Sequence, residues 1–478
     1  MKKLLASVFL LMSMGMYAQK DSVIYAYDVD GKALKAEPLE FEKPIYSFRL
    51  SPDANTVAVK MYNANKKGRW GVRNGLLLSI YSLLDNKSII TQKLSYWGAF
   101  TYLTNTSFLY RIGTLTRCYS LSNPEKPVWE ERVSPVLVND SLNLILGYKT
   151  PESAKLRGLE LSTGKVMWEK SVPCNKNCGW NESVMLSDSL IVVANNNLDF
   201  LNFQTGDLKY IRARNGYTDK GAIIAAALGG IALGVFTGAV TGFCTTYVPN
   251  VGPNVIAHTC SNILFHDNRL YFSDKLSMKC LDTDGNKIWN HAFKSDLAAC
   301  AHLQMLGDKL CMINYGYGLR GGSAHDVCGK PFISNFDIST GEIVETKILD
   351  KEIYGTLTGA VKDTIYVFTN PVGKLTPIYP NSERIVVQTD MNKLLMLDRD
   401  LKVIDEYPFK NSYDVLASSG NLRLVGSPSE NSKLWLIYAD GTPIMHIDIP
   451  VNCIDLRAGK LIMAVGKKLI VQDLNKYL

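Results

Sequence analysis

Cysteines are the residues of this sequence best placed to do chemistry. Cys174 and Cys178 stand four residues apart in a polar stretch, and Cys244 and Cys260 enclose a stretch rich in Pro, Thr and Asn. Such a pair can form a disulfide, or it can contribute to a zinc site if two further ligands are present. We expect disulfides here, and closing the loop between Cys244 and Cys260 would stabilise the fold by about 3 kcal/mol.

A second reactive group comprises His302, His325 and Cys328, on either side of the glycine-rich run 315–322. These residue types could form a metal site or a catalytic dyad. The glycines could also suggest a phosphate-binding loop, but no helix pattern follows to supply the dipole that such loops use. We expect a flexible loop between repeats instead, with Cys300 and Cys328 as disulfide candidates.

Three other cysteines differ in their surroundings. Cys280, Cys311 and Cys453 lie in apolar strand patterns, and we expect them to be buried thiols. No catalytic, cofactor-binding or metal-binding residue is assigned from the sequence.

The composition is that of an ordinary globular protein. The chain has 478 residues, of which 46% are hydrophobic and 20% charged, with a formal net charge of +7. The positive charge is spread along the chain, so nucleic-acid binding is not indicated. One short basic stretch, residues 66–75 around Trp70, predicts a solvated loop or, alternatively, a contact with an anionic partner.

Residues 1–18 are typical of a secretory signal peptide. Lys2 and Lys3 precede the uncharged run 4–16, and the predicted cleavage follows Ala18. No cysteine lies near the cleavage point, so a lipoprotein is not expected. The sequence therefore predicts export to the periplasm or the outer membrane, where disulfides can form.

The rest of the chain is predicted to repeat one β unit. The fullest copy, 158–168, is a strand, a Ser-Thr-Gly turn and a second strand that ends in Trp168; related units occur at 201–206, 281–289 and 336–341. The glycine supplies a positive φ, and the tryptophan would pack between neighbouring sheets. A period of about 40 residues with four strands per unit predicts a β-propeller.

The two ends of the chain are predicted to meet. The last strand pattern, Lys468–Asp473, has no strand after it, and Ser22–Tyr27 is a spare strand near the beginning. We expect the two to pair and close the ring, which removes an open sheet edge. The fold class is thus all-β, a single propeller of about eight four-stranded blades over residues 19–478. An array of β-sandwich domains is the alternative, but it would not be expected to share a turn motif at this period.

The unit at 159–168, Leu-Glu-Leu-Ser-Thr-Gly-Lys-Val-Met-Trp, resembles the repeat of the pyrroloquinoline-quinone-like propellers, Ala-x-Asp-x-x-Thr-Gly-x-x-x-Trp. That family holds quinone-dependent dehydrogenases and non-enzymatic scaffolds, among them the propeller lipoprotein of the outer-membrane barrel-assembly machinery. Its enzymes carry vicinal cysteines over the quinone, and this sequence has no Cys-Cys pair. The resemblance therefore implies the non-enzymatic branch and no cofactor.

One segment does not fit the repeat. Residues 221–243 are all small or apolar, and the surrounding stretch 221–266 contains no Lys, Arg, Asp or Glu. The glycines of this segment recur every four residues, which on a helix places them on one face, as in small-xxx-small membrane packing; they are Gly230, Gly234, Gly238 and Gly242. We expect a helical glycine-zipper insertion that packs on the propeller or, alternatively, contacts a membrane or a partner.

These observations predict an exported, non-enzymatic propeller that mediates contacts with envelope proteins, with possible membrane association through residues 221–243. The alternative is a quinone- or ligand-binding propeller enzyme of the dehydrogenase type.

Overall fold

A computed structural model gives the structure of the protein. It describes residues 22–64, 70–94, 98–150, 153, 155–172, 182–194, 197–212, 217–218, 255–258, 261–294, 301–320, 324–327, 329–349, 355–361, 365–369, 385–390, 393–408, 412–426, 434–438 and 442–478. The predicted signal peptide (1–18) and the predicted glycine-zipper insertion (221–243) lie outside these residues.

The described residues form β-strands almost throughout. The first half of the chain contains β1 (Val23–Asp28), β2 (Ala33–Ala36), β3 (Leu39–Glu40), β4 (Ile45–Leu50), β5 (Thr56–Ala64), β6 (Trp70–Ser82), β7 (Lys87–Leu94), β8 (Gly98–Leu103), β9 (Ser107–Ile112), β10 (Leu115–Ser120), β11 (Trp129–Arg132), β12 (Ser134–Asn139), β13 (Leu144–Tyr148), β14 (Lys155–Glu160), β15 (Val166–Ser171), β16 (Glu182–Met185), β17 (Leu190–Ala194), β18 (Asn197–Asn202), β19 (Leu208–Arg212), β20 (Tyr217–Thr218) and β21 (Val255–His258).

The second half contains β22 (Leu264–His266), β23 (Arg269–Ser273), β24 (Ser277–Asp282), β25 (Lys287–Ala292), β26 (Ala301–Leu306), β27 (Lys309–Asn314), β28 (Tyr317–Arg320), β29 (Ala324–Val327), β30 (Phe332–Phe336), β31 (Ile343–Ile348), β32 (Gly355–Val361), β33 (Ile365–Thr369), β34 (Ile385–Asp390), β35 (Lys393–Leu397), β36 (Val403–Pro408), β37 (Ser412–Ser419), β38 (Leu422–Gly426), β39 (Leu434–Tyr438), β40 (Pro443–Ile447), β41 (Cys453–Arg457), β42 (Lys460–Val465) and β43 (Lys468–Asp473). A short 3-10 helix, Asn475–Tyr477, follows β43.

Most strands form four-stranded antiparallel sheets in which neighbours follow one another along the chain. Among the described residues, eight sheets have four strands and one has eleven. One of the four-stranded sheets, β20-β21-β28-β29, is built from connections between repeats and is not itself a repeat. The eleven-stranded sheet holds β37–β40 as four neighbouring strands, with β32–β36 on one side and β1 and β2 on the other.

Apolar layers lie between sheets that are consecutive in the chain. Leu109 and Trp129 of the β8–β11 sheet pack on Ile145 and Leu159 of the β12–β15 sheet. Similar layers join the later sheets up to β34–β36, and another layer joins β37–β40 to β41–β43. Four-stranded sheets that pack face to face in chain order are the blades of a β-propeller, so the predicted all-β propeller architecture is confirmed at this level.

Position within a sheet explains the burial of each strand. The middle strand β13, Leu144–Tyr148, is buried at every residue because a neighbouring sheet covers each of its faces. Such strands therefore have continuous apolar sequences rather than alternating ones. Among the described strands, β31 is the outermost of its sheet, and Val344 and Ile348 are each 55% exposed.

The repeated turn has the conformation that the sequence predicts. Gly164, Gly206, Gly285 and Gly341 all have positive φ, between 71° and 75°. Trp168 and Trp289, which follow two of these turns, lie between sheets, as expected. Trp168 also donates a hydrogen bond from Nε1 to the carbonyl of Phe203 in the next sheet, at 2.9 Å.

Pairing at the chain ends differs from the prediction. The strand near the beginning, Val23–Asp28, pairs with β40 through Tyr27 opposite His446, and not with the last strand. Instead β3 pairs with β43, with Leu39 opposite Leu469. The segment β1–β3 therefore adds strands to two adjacent sheets, and we call it the N-terminal clasp. The prediction failed because sequence periodicity does not distinguish between two nearby strands of similar apolar pattern.

Candidate functional site

The connections between strands leave the sheets from two ends that differ in character. In each meander, the links from first to second strand and from third to fourth strand lie at one end, which we call the turn end. The links from second to third strand and from one sheet to the next lie at the other, which we call the loop end. The longest fully described turn-end link is 121–128, whereas the loop end includes 172–181, 213–263 and 315–331.

Hydrogen bonds tie neighbouring sheets together at the turn end. Lys460 Nζ donates to the Ala54 carbonyl at 2.9 Å, and the Asp53 amide donates to Asn105 Oδ1 at 3.1 Å. The Asn105 amide in turn donates to Asp140 Oδ2 at 2.8 Å. Tryptophan side chains continue this series in the next sheets.

The series extends to the last repeats. Lys309 Nζ binds Asp400 Oδ1 at 2.9 Å, and the Gly459 amide donates to Ser419 Oγ at 2.9 Å. These hydrogen bonds connect the turns of most neighbouring described sheets at the turn end.

The loop end carries an additional sheet. Strands β20 and β21 belong to the connection between β19 and β22, whereas β28 and β29 belong to the connection between β27 and β30. Tyr217 lies opposite Ile256 and Thr218 opposite Val255, and Ile256 also lies opposite Arg320 of β28. The chain on either side of residues 219–254 is therefore held side by side in one sheet.

The predicted disulfide residues lie outside the described residues. These are Cys174, Cys178, Cys244, Cys260, Cys300 and Cys328; the glycines of the predicted zipper, Gly230, Gly234, Gly238 and Gly242, lie outside them as well. In chain order, each falls between strands whose described termini face the loop end. Their pairing and packing remain predictions.

The structure corrects two predictions of loops, one for the glycine-rich run 315–322 and one for the basic stretch 66–75. The run after Gly316 is not a flexible loop, because Tyr317–Arg320 and Ala324–Val327 form the hairpin β28–β29. His302 lies on β26, in a different sheet from His325 on β29. The basic stretch is only partly a connection, because Trp70 already belongs to β6, opposite Ala64. Both differences arise because tertiary pairing extends strands into glycine-rich and basic sequence.

The cysteines expected to be thiols are free. Cys280 and Cys311 are buried and Cys453 is partly buried, and Cys118 is also a buried free thiol. Burial raises the pKa of Cys118 to about 11 and that of Cys453 to about 12. These thiols are protonated at neutral pH and are poor nucleophiles.

A polar cluster lies at the inner edge of the sheets, where the first strands of three sheets meet. Arg49 of β4 places its guanidinium Cζ 5.7 Å from the centre of the Tyr102 ring of β8. On β41, Asp455 Oδ2 lies 3.7 Å from Arg457 Nε, and Arg457 Nη1 donates to the Leu50 carbonyl at 3.3 Å. This cluster is a candidate ligand contact.

Lys60 of β5 belongs to the same cluster. It lies opposite Ser47, on the strand that also carries Arg49. Burial, and secondarily the positive charge of Arg49, lower its pKa from 10.5 to about 8. Burial also raises the pKa of Asp455, although Arg457 and Arg49 oppose the rise. Lys60, Arg49 and Tyr102 take part in further interactions as well.

Replacing Lys60 is expected to change how stability depends on pH. Between about pH 8 and 10.5 the unfolded chain binds a proton at Lys60 that the folded chain does not, so the free energy of unfolding rises with pH. Lys60→Met removes this dependence and should be more stable than wild type at pH 7, with the difference shrinking towards pH 10. Urea unfolding of both proteins at pH 7 and pH 9.5 measures it. A constant difference would contradict the assigned pKa.

Sequence inspection did not single out this cluster. Arg49, Lys60, Asp455 and Arg457 come from opposite ends of the chain, and each looks like an ordinary polar residue of an alternating strand. One signal could have pointed to the cluster: these charged residues interrupt apolar strand patterns in the first and last predicted repeats, which were expected to be neighbours.

The described residues offer neither a metal site nor a membrane-spanning helix. No group of three or more His, Cys, Asp or Glu side chains there could hold a metal ion. None of the helices in that part of the chain is long and apolar enough to span a membrane.

Comparison with known proteins gives structural similarity alone. No family model matches the chain, and no curated protein matches its sequence. BamB from Moraxella catarrhalis is similar with a TM-score of 0.39 and 12% identity, covering 86% of this chain and 98% of that one. The WD40 domain of SCAP from fission yeast has a TM-score of 0.38 and 7% identity over 91% and 97% of the two chains.

Apo AztD from Citrobacter koseri is also similar, with a TM-score of 0.35 and 9% identity over 78% of this chain and 92% of that one. At these values the similarities carry no inference about function. The propeller assignment rests on the sheets and apolar layers described above.

Proposed function

We propose that the protein is an exported, non-enzymatic propeller scaffold that binds other envelope proteins at its loop end. The observation that carries this proposal is the difference between the two ends: short turns bonded to one another at one end, and the long connections 172–181, 213–263 and 315–331 at the other. Long connections on a rigid frame are the usual position of binding surfaces. The signal-peptide pattern of residues 1–18 supports export.

We also propose that the repeats belong to the pyrroloquinoline-quinone-like type. The support is the unit at 159–168 together with the position of its tryptophan. Trp168 Nε1 binds the carbonyl of Phe203, and its ring lies against Gly206 of the following turn. This contact explains why the Thr-Gly turn and the tryptophan occur together in the repeat: the tryptophan of one unit packs on the glycine of the next turn.

Site-specific cross-linking tests the docking proposal. A photoreactive phenylalanine is placed at exposed positions of the loop end, Thr114 or Lys467, and at matched exposed positions of the turn end, Thr163 or Asp85. Cells of the native host are irradiated, and cross-linked partners are identified by mass spectrometry. We expect the same partner from Thr114 and Lys467 and none from Thr163 and Asp85. Partners at the turn end alone, or no partner at any position, would refute docking through the loop end.

The apolar segment is proposed to provide the membrane or partner contact. The described support is that β20 and β21 hold both ends of the connection 219–254 side by side, so the segment can leave the propeller and return at one place. Gly230, Gly234, Gly238 and Gly242 would form its contact face. The propeller would then carry residues 221–243, and these residues would make the contact with the membrane or partner.

Excising this connection should leave the propeller intact. Because Thr218 lies opposite Val255, an Asn-Gly turn can join them directly as a two-residue hairpin. The excised protein is expected to melt like wild type but to be lost from membranes or from the cross-linked complex. Melting is followed by circular dichroism and localisation by fractionation.

Two full-length double variants test whether association depends on the glycine face or only on the hydrophobicity of the segment. Gly234→Leu with Gly238→Leu should reduce membrane or partner association, whereas Ala232→Leu with Ala239→Leu, on the other side of a helix, should not. Unchanged fractionation of the excised protein would show that the segment only fills space.

Three disulfides are proposed among the cysteines outside the described residues, and Cys244–Cys260 is the one the sequence supports best. The other candidates are Cys174–Cys178 and Cys300–Cys328. Peptide mapping of the exported protein without reductant tests them. Finding Cys244 and Cys260 alkylated as free thiols would refute the first bridge.

A further inference from the structure

Strand β31 presents an apolar edge on the outside of its sheet. It is the outermost described strand of the sheet β26-β27-β30-β31, so one side of its backbone points away from the sheet. Proteins commonly protect such edges with lysine, proline or other interruptions, because a further strand can pair there. On β31 three of the four exposed side chains are apolar: Ile343 is 41% exposed, and Val344 and Ile348 are each 55% exposed. This edge is therefore a surface to which a strand can bind.

The charges of β31 have a regular position. Residues 345–348 are the regular part of the strand, because its register with β30 shifts just before them. Their side chains alternate between the two faces of the sheet, so Glu345 and Lys347 lie on one face and Thr346 and Ile348 on the other. One negative and one positive charge therefore stand on either side of Thr346, and both side chains are partly exposed.

This arrangement is complementary to itself. If β31 pairs antiparallel with β31 of a second copy about Thr346, Glu345 of each copy lies opposite Lys347 of the other. The same register places Val344 of each copy opposite Ile348 of the other. Two-fold symmetry repeats each contact, which gives two ion pairs on one face and two apolar pairs on the other.

The outer strands of two other sheets lack this property. Glu169 of β15 and Glu406 of β36 occupy the position that Thr346 has in β31, two residues beyond the register shift of each strand. The equivalent self-pairing would place each glutamate opposite its own copy, and like charges directly opposite one another destabilise a pair of strands. In β36 the next position but one is Pro408, which has no amide hydrogen to donate.

We propose that two copies of this protein associate through their β31 strands, which joins two four-stranded sheets into one continuous sheet. Each copy contributes its β31 to a single isologous contact, so association stops at the dimer. The partner is a second copy because the register that pairs the apolar residues also pairs the opposite charges. This surface lies on the outer edge of the sheets, away from the loop end, and is independent of the docking function proposed above.

Sedimentation velocity of the mature protein over a series of concentrations tests the proposal. Wild type is expected to dimerise reversibly. Glu345→Lys and Lys347→Glu should each weaken dimerisation about tenfold or more, because like charges then replace the opposite charges in both pairs. Lys287→Glu, at an exposed position on the outer strand β25, is the matched control and should leave dimerisation unchanged.

Mixing the two charge variants tests the register directly. Glu345→Lys has two lysines where Lys347→Glu has two glutamates, so a one-to-one mixture should form heterodimers about as tightly as wild type forms dimers. The double variant carrying both substitutions should also regain dimerisation.

Three results would overturn the proposal: a wild type that is monomeric at every concentration, equal dimerisation of wild type and both single variants, or no recovery in the mixture. A strand of another protein as the occupant would give the first of these results. Circular dichroism checks folding. If a charge variant does not fold, Ile348→Lys, at a more exposed position, should weaken dimerisation by the same measurement.

Discussion

Removing residues 22–37 is expected to lower the melting temperature by about 5 °C or more. This deletion takes away β1 and β2, exposes the edge of β40 and uncovers the apolar layer beneath them. Tyr25 and Ala26 are 4% and 0% exposed and pack with Leu434 and Met445 of that layer. Losing one large buried side chain alone typically costs about 3–5 kcal/mol. Differential scanning calorimetry of the shortened and intact proteins measures the change.

Graded variants identify which part of the clasp matters. Removing residues 22–40 also takes away β3 and should lower the melting temperature further, because the edge of β43 is then open. Tyr25→Ser should reproduce much of the loss, whereas Ile24→Ser, at a position that is 40% exposed, should have little effect. Equal melting of the shortened and intact proteins would mean that the clasp does not stabilise the fold.

Gly206→Ala is expected to destabilise the protein by about 2–5 kcal/mol. The residue has φ of 75°, which costs an alanine about 1–2 kcal/mol. Its added Cβ would also lie 2.6 Å from Cδ2 of Trp168, and overpacking of this kind costs about 1–3 kcal/mol. Urea unfolding gives the free-energy difference.

Gly113→Ala is the matched control for this substitution. Gly113 also has positive φ, at 60°, but nothing lies within 4 Å of the position of its Cβ. It should therefore show the backbone cost alone, about 1–2 kcal/mol. In a Trp168→Leu background the Gly206→Ala cost should fall towards that of the control. If the two glycine substitutions cost the same in wild type, the tryptophan contact is unimportant.

The repeat was predictable from sequence because its determinants are local. A Thr-Gly turn requires positive φ at glycine, and the apolar runs on either side specify strands. The second reason for the glycine was not predictable, since Trp168 reaches the turn of the next sheet and leaves no room for a side chain at Gly206. That contact depends on how two sheets pack against each other, and the strand patterns of the sequence do not predict this packing.

Long-range features were the least predictable. The sequence suggests that the chain ends meet, but not that β1 would join β40 while β3 joins β43. The inner cluster was missed for the same reason, because Arg457 reaches the Leu50 carbonyl only after the last sheet packs on the first. The difference between turn end and loop end follows from antiparallel connectivity once the strands are known.

The pairing of Leu39 with Leu469 also bears on the order of folding. One of the earliest strands to be synthesised finds its partner only when almost the whole chain has been made. Contacts between such distant residues carry a large loop-closure cost and slow the folding of β-rich proteins. Until then the apolar face of the clasp is unpaired and prone to aggregation. Pairing of β3 with β43 is therefore expected to be the slowest folding step, later than the formation of any single sheet.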